Sequence, residues 1–185
     1  ACVVGRLYTF GSVELSADGA TLAATGSRYA SQICRGYQWA TLLRGASGSR
    51  DIAGRARISA NGRWMLLDTT SSAFSQTTFA IVDLATGARR DFQTTGQGGL
   101  AALTGRAIAD DGTAVVSDYI KSSLARPGGV MQSIPYGYEL AISADANRLL
   151  YLTDAVHLVD LASGRDESWD AAFGAAMDDS GGRVA

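Results

Sequence analysis

Arg57-Ile-Ser-Ala-Asn-Gly-Arg-Trp-Met-Leu-Leu-Asp68 and, after an interval, Phe79-Ala-Ile-Val-Asp-Leu-Ala-Thr-Gly-Ala-Arg-Arg-Asp-Phe92 form the stretch whose reading decides the fold. A short apolar segment ends in the turn Ser59-Ala60-Asn61-Gly62, and a second apolar run, Trp64 to Leu67, follows at once. A third run ends in Asp83-Leu84-Ala85-Thr86-Gly87, which turns the chain into a polar fourth segment. Strands bounded by Asn-Gly and Thr-Gly turns predict a four-stranded antiparallel meander.

The same pattern recurs. Ser59-Ala60-Asn61-Gly62 has counterparts at Ser16-Ala17-Asp18-Gly19, Ala109-Asp110-Asp111-Gly112 and Ser143-Ala144-Asp145-Ala146, with a weaker copy at Asp178-Asp179-Ser180-Gly181. The successive spacings are 43, 50, 34 and 35 residues. Leu15, Ile58, Ile108, Ile142 and Met177 precede the turns. Phe79 to Gly87 also matches Val156 to Gly164 at a constant offset of 77, which carries Phe92 onto Trp169. A unit of about 40 residues holding four strands has the period of a propeller blade, and one such sheet must bury its faces against its neighbours. The expected fold is an all-β β-propeller of four-stranded antiparallel blades, one domain over residues 1–185. Its approximate repeats are 12–54, 55–105, 106–138, 139–173 and a partial 174–185.

These motifs resemble the TolB-like and WD-type β-propeller repeats of bacterial proteins. There a Ser-x-Asp-Gly turn joins the first two strands, and Val-Asp-Leu-x-Thr/Ser-Gly resembles the marker between the third and fourth. The resemblance runs from about Ser12 to the end and is strongest in the second and fourth copies. The third copy departs from it: Asp118 to Gly137 has no Asp-Leu-x-x-Gly turn, and Pro127 and Pro135 restrict which strands can be central. Such motifs specify architecture rather than activity. The resemblance implies an extracytoplasmic setting (periplasmic, secreted or cell surface).

Composition agrees with many tight turns around a buried core: 46% of the 185 residues are hydrophobic, 22 are Gly and 2 are Pro. A net charge of −2, with Lys121 the single lysine among 16 basic residues, argues against nucleic acid as a partner. No apolar run is long enough to cross a bilayer. The chain opens on Ala1-Cys2 and ends in Gly182-Arg183-Val184-Ala185 where a second strand is due, so the expectation is part of a longer protein, or self-association of an open propeller. Cys2-Val3-Val4-Gly5-Arg6-Leu7-Tyr8-Thr9-Phe10 reads as a separate strand ahead of the first turn.

The longer segments Thr25–Gly36, Thr70–Thr78 and Ser117–Gly129 occupy the slot between second and third strands, and Gly96–Gly105 joins two blades. In an up-and-down blade both connections emerge at one end, where insertions often mark a binding surface. Arg28, Tyr29, Arg35, Tyr37, Phe74, Gln76, Tyr119 and Lys121 are therefore candidates for engaging a protein, peptide or glycan partner; length drift without a ligand is the alternative.

Catalytic chemistry finds little support. His157 is the single histidine and replaces Ala80 at the 77-residue offset, so a packing or surface role is expected. Gly45-Ala46-Ser47-Gly48-Ser49 fails as a nucleophile elbow, and no phosphate-cradling or dinucleotide motif calls for a cofactor. Asp110, Asp111, Asp178 and Asp179 sit in the repeating turn, where Asp bonds its own backbone, so no metal site is expected. Trp39, Trp64, Trp169 and Phe92 are expected between blades, with an exposed Trp platform for sugars the alternative. Cys2 and Cys34 permit a disulfide by count, with two buried thiols the alternative. Among functions, a non-catalytic recognition scaffold leads. An accessory propeller of a larger hydrolase of the prolyl-oligopeptidase type, its catalytic residues outside this segment, is the alternative. A catalytic propeller ranks third, because the inner segments offer only Glu14 and Glu139.

Overall fold

A computed structural model describes residues 8–29, 37–46, 48–69, 77–94, 104–117, 122–135, 137–170 and 175–185. All regular structure among them is β. The first sheet holds β1 (Tyr8–Leu15), β2 (Leu22–Tyr29), β3 (Tyr37–Gly45) and β4 (Gly48–Ala53). The second holds β5 (Arg55–Ile58), β6 (Trp64–Asp68), β7 (Thr77–Asp83) and β8 (Arg89–Thr94). The third holds β9 (Thr104–Ile108), β10 (Ala114–Ser117), β11 (Ser122–Ala125) and β12 (Met131–Ile134). The fourth holds β13 (Tyr138–Ile142), β14 (Arg148–Leu152), β15 (Ala155–Asp160) and β16 (Asp166–Asp170). Every sheet is antiparallel and ordered as in sequence, a plain meander. The fifth copy folds back through one bridge, Met177 with Val184. The first strands touch in series, β1 with β5, β5 with β9 and β9 with β13, so they are the inner strands of a partial β-propeller.

The period of two in each strand sends alternate residues to opposite neighbours, so both faces of a blade are apolar. Met65, Leu67, Ala80 and Val82 pack with Ala23 and Leu43 of the first blade. From the same strands, Leu66, Phe79 and Ile81 pack with Ile108, Ala114, Val116 and Ala125 of the third. Val115 and Leu124 meet Leu140, Leu149 and Tyr151, and Leu150, Val156 and Leu158 take Met177 and Val184 of the fifth copy. Full burial of each large side chain is worth about 1.5–3 kcal/mol, and these interfaces are the core.

Four expectations change. Tyr8, Thr9 and Phe10 belong to β1 rather than to a separate strand, because a register shift between Phe10 and Ser12 absorbs Gly11 and keeps the pairing with β2; Cys2 to Leu7 lie outside the described residues. Thr25 to Tyr29 are strand, which shortens the first insertion to 30–36. Ser117–Gly129 is not one insertion either. It contains β11, and Arg126-Pro127-Gly128-Gly129 makes the turn that Asp-Leu-x-x-Gly makes elsewhere, with Arg126 N–H donating to Val130 O at 2.9 Å and Gly129 N–H to Arg126 O at 2.8 Å. Pro127 sits inside this turn and Pro135 lies just past the outer strand, so neither interrupts a central ladder. Finally, Trp169 is 44% exposed, whereas Phe92 is buried and stacks on Phe79 with ring centroids 4.9 Å apart. All of β16 is exposed, whereas Phe92 of β8 is packed against the third blade. Trp64 is partly buried between the second and third blades, and Arg55 lies over the Trp39 ring at 4.5 Å.

Candidate functional site

The two ends of the propeller differ in kind. At one end the repeated turns are short and tied together. The Ser16 hydroxyl donates to Asp18 Oδ1 at 2.6 Å and accepts from Thr21 N–H at 2.9 Å, while Asp18 Oδ1 also accepts from Ala20 N–H at 2.9 Å. Ser59 with Asn61 and Ser143 with Asp145 repeat this arrangement. The irregular copies reach the same end by other means. Thr113 supplies a hydroxyl to Asp111 at 2.9 Å where Ala109 has none, and in the fifth copy the roles are exchanged, with Ser180 donating to Asp178 at 2.9 Å.

Each turn also grips the next blade. Ala17 N–H donates to Ala60 O, Asp110 N–H to Ala144 O and Ala144 N–H to Asp179 O, all at 2.7 Å. Between the second and third turns Asn61 makes the link twice, its N–H donating to Asp110 Oδ1 at 2.8 Å and its side-chain amide to Asp110 O at 3.1 Å. The glycine of the motif has a double role. Gly62 adopts a φ of +69°, and a Cβ there would stand 2.8 Å from Thr21 Oγ1 and 3.0 Å from Ser16 Cβ of the preceding blade. Ser-x-Asp-Gly is thus a blade-coupling device as well as a hairpin.

The second marker is held in the same way. Asp83 Oδ1 accepts from Ala85 N–H at 2.9 Å, Arg63 Nη2 donates to Asp83 Oδ2 at 2.9 Å, and Leu84 N–H reaches Arg63 O at 2.7 Å. Asp160 repeats the cap with Ala162 and Ser163, and Leu161 N–H donates to Asn147 O. The Arg63 guanidinium holds the Asp83 carboxyl down at about 2. Hydroxyl and backbone donors likewise depress Asp18, Asp145, Asp160 and Asp178 below the usual carboxylate value. A carboxyl lowered by folding stabilises the native state above its unfolded value near 4, and that stability is lost as pH falls through the folded value. Thermal melts are therefore expected to hold steady down to about pH 4 and to fall between about 4 and 2, and an Asp83→Asn variant should lose part of that slope.

Around the inner strands at this end lies a cavity of about 310 Å³, lined by Glu14, Leu15, Arg57, Ile58, Ile108 and Ile142 together with turn residues that include Ala17 and Asp179. Glu14 is paired with Arg57 and accepts from Ile58 N–H at 2.9 Å, so its carboxylate is spoken for. Among the described residues no three His, Cys, Asp or Glu side chains gather as metal ligands.

The opposite end carries the candidate recognition residues. Tyr29 closes β2 and pairs across the ladder with Tyr37 at the start of β3, and Arg28 pairs with Gln38, so Arg28, Tyr29 and Tyr37 are brought to one strand end. Arg35, Phe74, Gln76, Tyr119 and Lys121 lie outside the described residues, as do Cys2 and Cys34. The connections leaving this end span 30–36, 69–76 and 118–121, against the two-residue turn Thr153-Asp154 in the fourth blade.

One cluster was not anticipated. His157 stacks on Tyr151 with centroids 4.7 Å apart, and its Nδ1 lies 3.0 Å from Asp166 Oδ2. Burial raises the Tyr151 hydroxyl above its usual value, and the Asp166 charge adds to this. His157 has the packing role expected of it, with a hydrogen-bond partner in Asp166 added. The short Thr153-Asp154 turn contained the signal, because a hairpin that tight sets His157 opposite Tyr151.

No family model matches the chain, and no curated protein matches it. Similar solved structures include a prolyl endopeptidase (14% identity, TM-score 0.55, covering 91% of this chain and 35% of that one) and puromycin hydrolase (16%, 0.52, 89% and 29%). Hydrazine synthase of Kuenenia stuttgartiensis is similar as well (12%, 0.51, 83% and 65%). The chain spans about a third of the length of the prolyl endopeptidase and of puromycin hydrolase. These hydrolases and a hydrazine synthase share this architecture, so the likeness is one of fold.

Proposed function

We propose that this chain is a non-catalytic recognition propeller of the TolB-like or WD type, working outside the cytoplasm, that binds a protein, peptide or glycan at the end opposite the coupled turns. The observation that carries this reading is the asymmetry of the two ends. One is closed by short turns whose polar groups are consumed in holding blade to blade, and the other gathers the longer connections and the Tyr29–Tyr37 pair. Aromatic and arginine side chains on such connections are the residue types that dominate binding energy. Peptide and glycan arrays probed with the chain identify a ligand class, and the triple variant Tyr29→Ala, Phe74→Ala, Tyr119→Ala then tests the site. Affinity should fall by about a hundredfold, some 2–3 kcal/mol, with an unchanged melting temperature. Binding that survives the triple variant rejects the site.

A second reading is favoured by the fold shared with a prolyl endopeptidase and puromycin hydrolase: an accessory propeller of a larger hydrolase whose nucleophile lies outside residues 1–185. A serine-reactive fluorophosphonate applied to the full-length gene product separates the two. Labelling outside this segment supports the hydrolase, and absence of labelling supports the free-standing binder.

A further inference from the structure

Asn61-Gly62 is the single Asn-Gly pair in the chain; the other asparagine, Asn147, precedes Arg148. Asparagine is chemically labile, and a following glycine, with no side chain beside its amide, offers the least hindered route. The Gly62 nitrogen attacks Asn61 Cγ, loses its proton to solvent base and expels the side-chain nitrogen as ammonia. Water then opens the succinimide at either carbonyl. One opening leaves aspartate, and the other leaves isoaspartate, with the main chain rerouted through the side chain. Both products carry a carboxylate where there was an amide.

In the folded chain the reacting atoms are held. Gly62 N–H donates to Ser59 O at 2.9 Å, and Asn61 Oδ1 accepts from the Ser59 hydroxyl at 2.7 Å and from Arg63 N–H at 2.9 Å. These bonds close the hairpin. Others cross to the third blade: the Asn61 side-chain amide donates to Asp110 O at 3.1 Å, and Asn61 N–H donates to Asp110 Oδ1 at 2.8 Å. Asp18 and Asp145 show that the hairpin itself accepts a carboxylate at this place, since both keep the hydroxyl and main-chain bonds. In their turns the link to the next blade is made by the preceding residue, Ala17 or Ala144. The second turn differs because Asn61 is both the hairpin residue and the link. A carboxylate there has no N–H for Asp110 O, and it sets a like charge beside the Asp110 side chain.

We propose that Asn61 is a site of spontaneous deamidation, that it reacts only when the second and third blades part at their turns, and that the reaction makes the parting permanent.

The 185-residue chain, kept at mildly alkaline pH either native or unfolded in urea, is digested, and the fragment holding Asn61 is followed by mass spectrometry, with aspartate and isoaspartate separated by chromatography. Deamidation is expected to be about a hundredfold or more slower in the native chain, because only the opened turn reacts. Asp110→Ala deletes the carboxylate acceptor and keeps the main-chain one. It should speed the native reaction about tenfold, the worth of one hydrogen bond, and leave the rate in urea unchanged. In the isolated isoaspartate product the amide of residue 61 should exchange with solvent about tenfold faster or more than in the parent, and in Asn61→Asp the change should be smaller but of the same sign. A native rate equal to that in urea overturns the proposal. So does a slow native reaction that Asp110→Ala leaves unchanged, because the hairpin alone would then protect Asn61. An isoaspartate product whose residue-61 amide exchanges as slowly as the parent's overturns it as well, since the blades would then have closed again.

Discussion

Phe79→Ala should lower the free energy of unfolding by about 3–5 kcal/mol, read as a shift of the urea midpoint at unchanged slope. Phe79 is 0% exposed at the centre of the interface between the second and third blades. Its ring lies parallel to Phe92 within 2° and is packed with Leu66, Ile81, Val116 and Ala125, residues drawn from four strands of two sheets. Truncation removes the ring's transfer energy and leaves a cavity that strands held in register on both sides cannot close. The conservative Phe79→Leu keeps much of the volume and should cost clearly less. A loss below about 1 kcal/mol for the alanine variant would mean that the two blades do not share a close-packed core.

Gly54→Ala should be comparably damaging, by about 3 kcal/mol or more, for a reason unrelated to the apolar core. Gly54 alone joins β4, the outer strand of one blade, to β5, the inner strand of the next. It does so at a φ of +115°, a conformation open only to glycine, and an added Cβ would collide with the main-chain oxygen of Asp68. Its backbone is also fixed on both sides: its N–H donates to Trp39 O at 2.7 Å, and its O accepts from the Thr41 hydroxyl at 3.0 Å. Thr41 is fully buried, bonded to Thr25 at 2.8 Å, and accepts from Ala56 N–H at 3.1 Å, so the connection cannot relax without stranding buried polar groups. Thermal unfolding of Gly54→Ala beside Gly87→Ala separates space from conformation. Gly87 also has a positive φ but open surroundings, so its substitution should cost only about 1–2 kcal/mol.

Strand and turn order was legible in the sequence because the chemistry of these turns is local. A short Asp or Asn side chain bonding two residues onward, and a glycine before the second strand, write the hairpin into four adjacent letters. What those letters do between blades was not legible. The ladder from Ala17 to Ala60 and from Ala144 to Asp179 is made by main-chain groups, which leave no mark on residue type. β11 was obscured for a related reason: Ser122-Ser123-Leu124-Ala125 reads as loop, yet all four are buried, and Ser122 satisfies its hydroxyl on Ser117 at 3.2 Å. The Gly11-Ser12 pair resembled a break in β1 because a bulge, unlike a turn, has no fixed signature. Of the recognition candidates, Tyr29 read as part of the first insertion, and its pairing with Tyr37 came only with the extension of β2 to Tyr29.

The repeated turns couple the blades at their end of the propeller. Native-state hydrogen exchange at the amides of Ala17, Asp110 and Ala144 tests it most directly. These sit in surface turns whose own hairpins do not use their N–H groups, yet each donates at 2.7 Å to the neighbouring blade. Exchange is expected to be as slow as that of central-strand amides such as Leu66 and Leu150, because release requires two blades to part. Exchange at the rate of an unbonded surface turn would contradict the coupling, and with it the reading of Ser-x-Asp-Gly as the joint between blades.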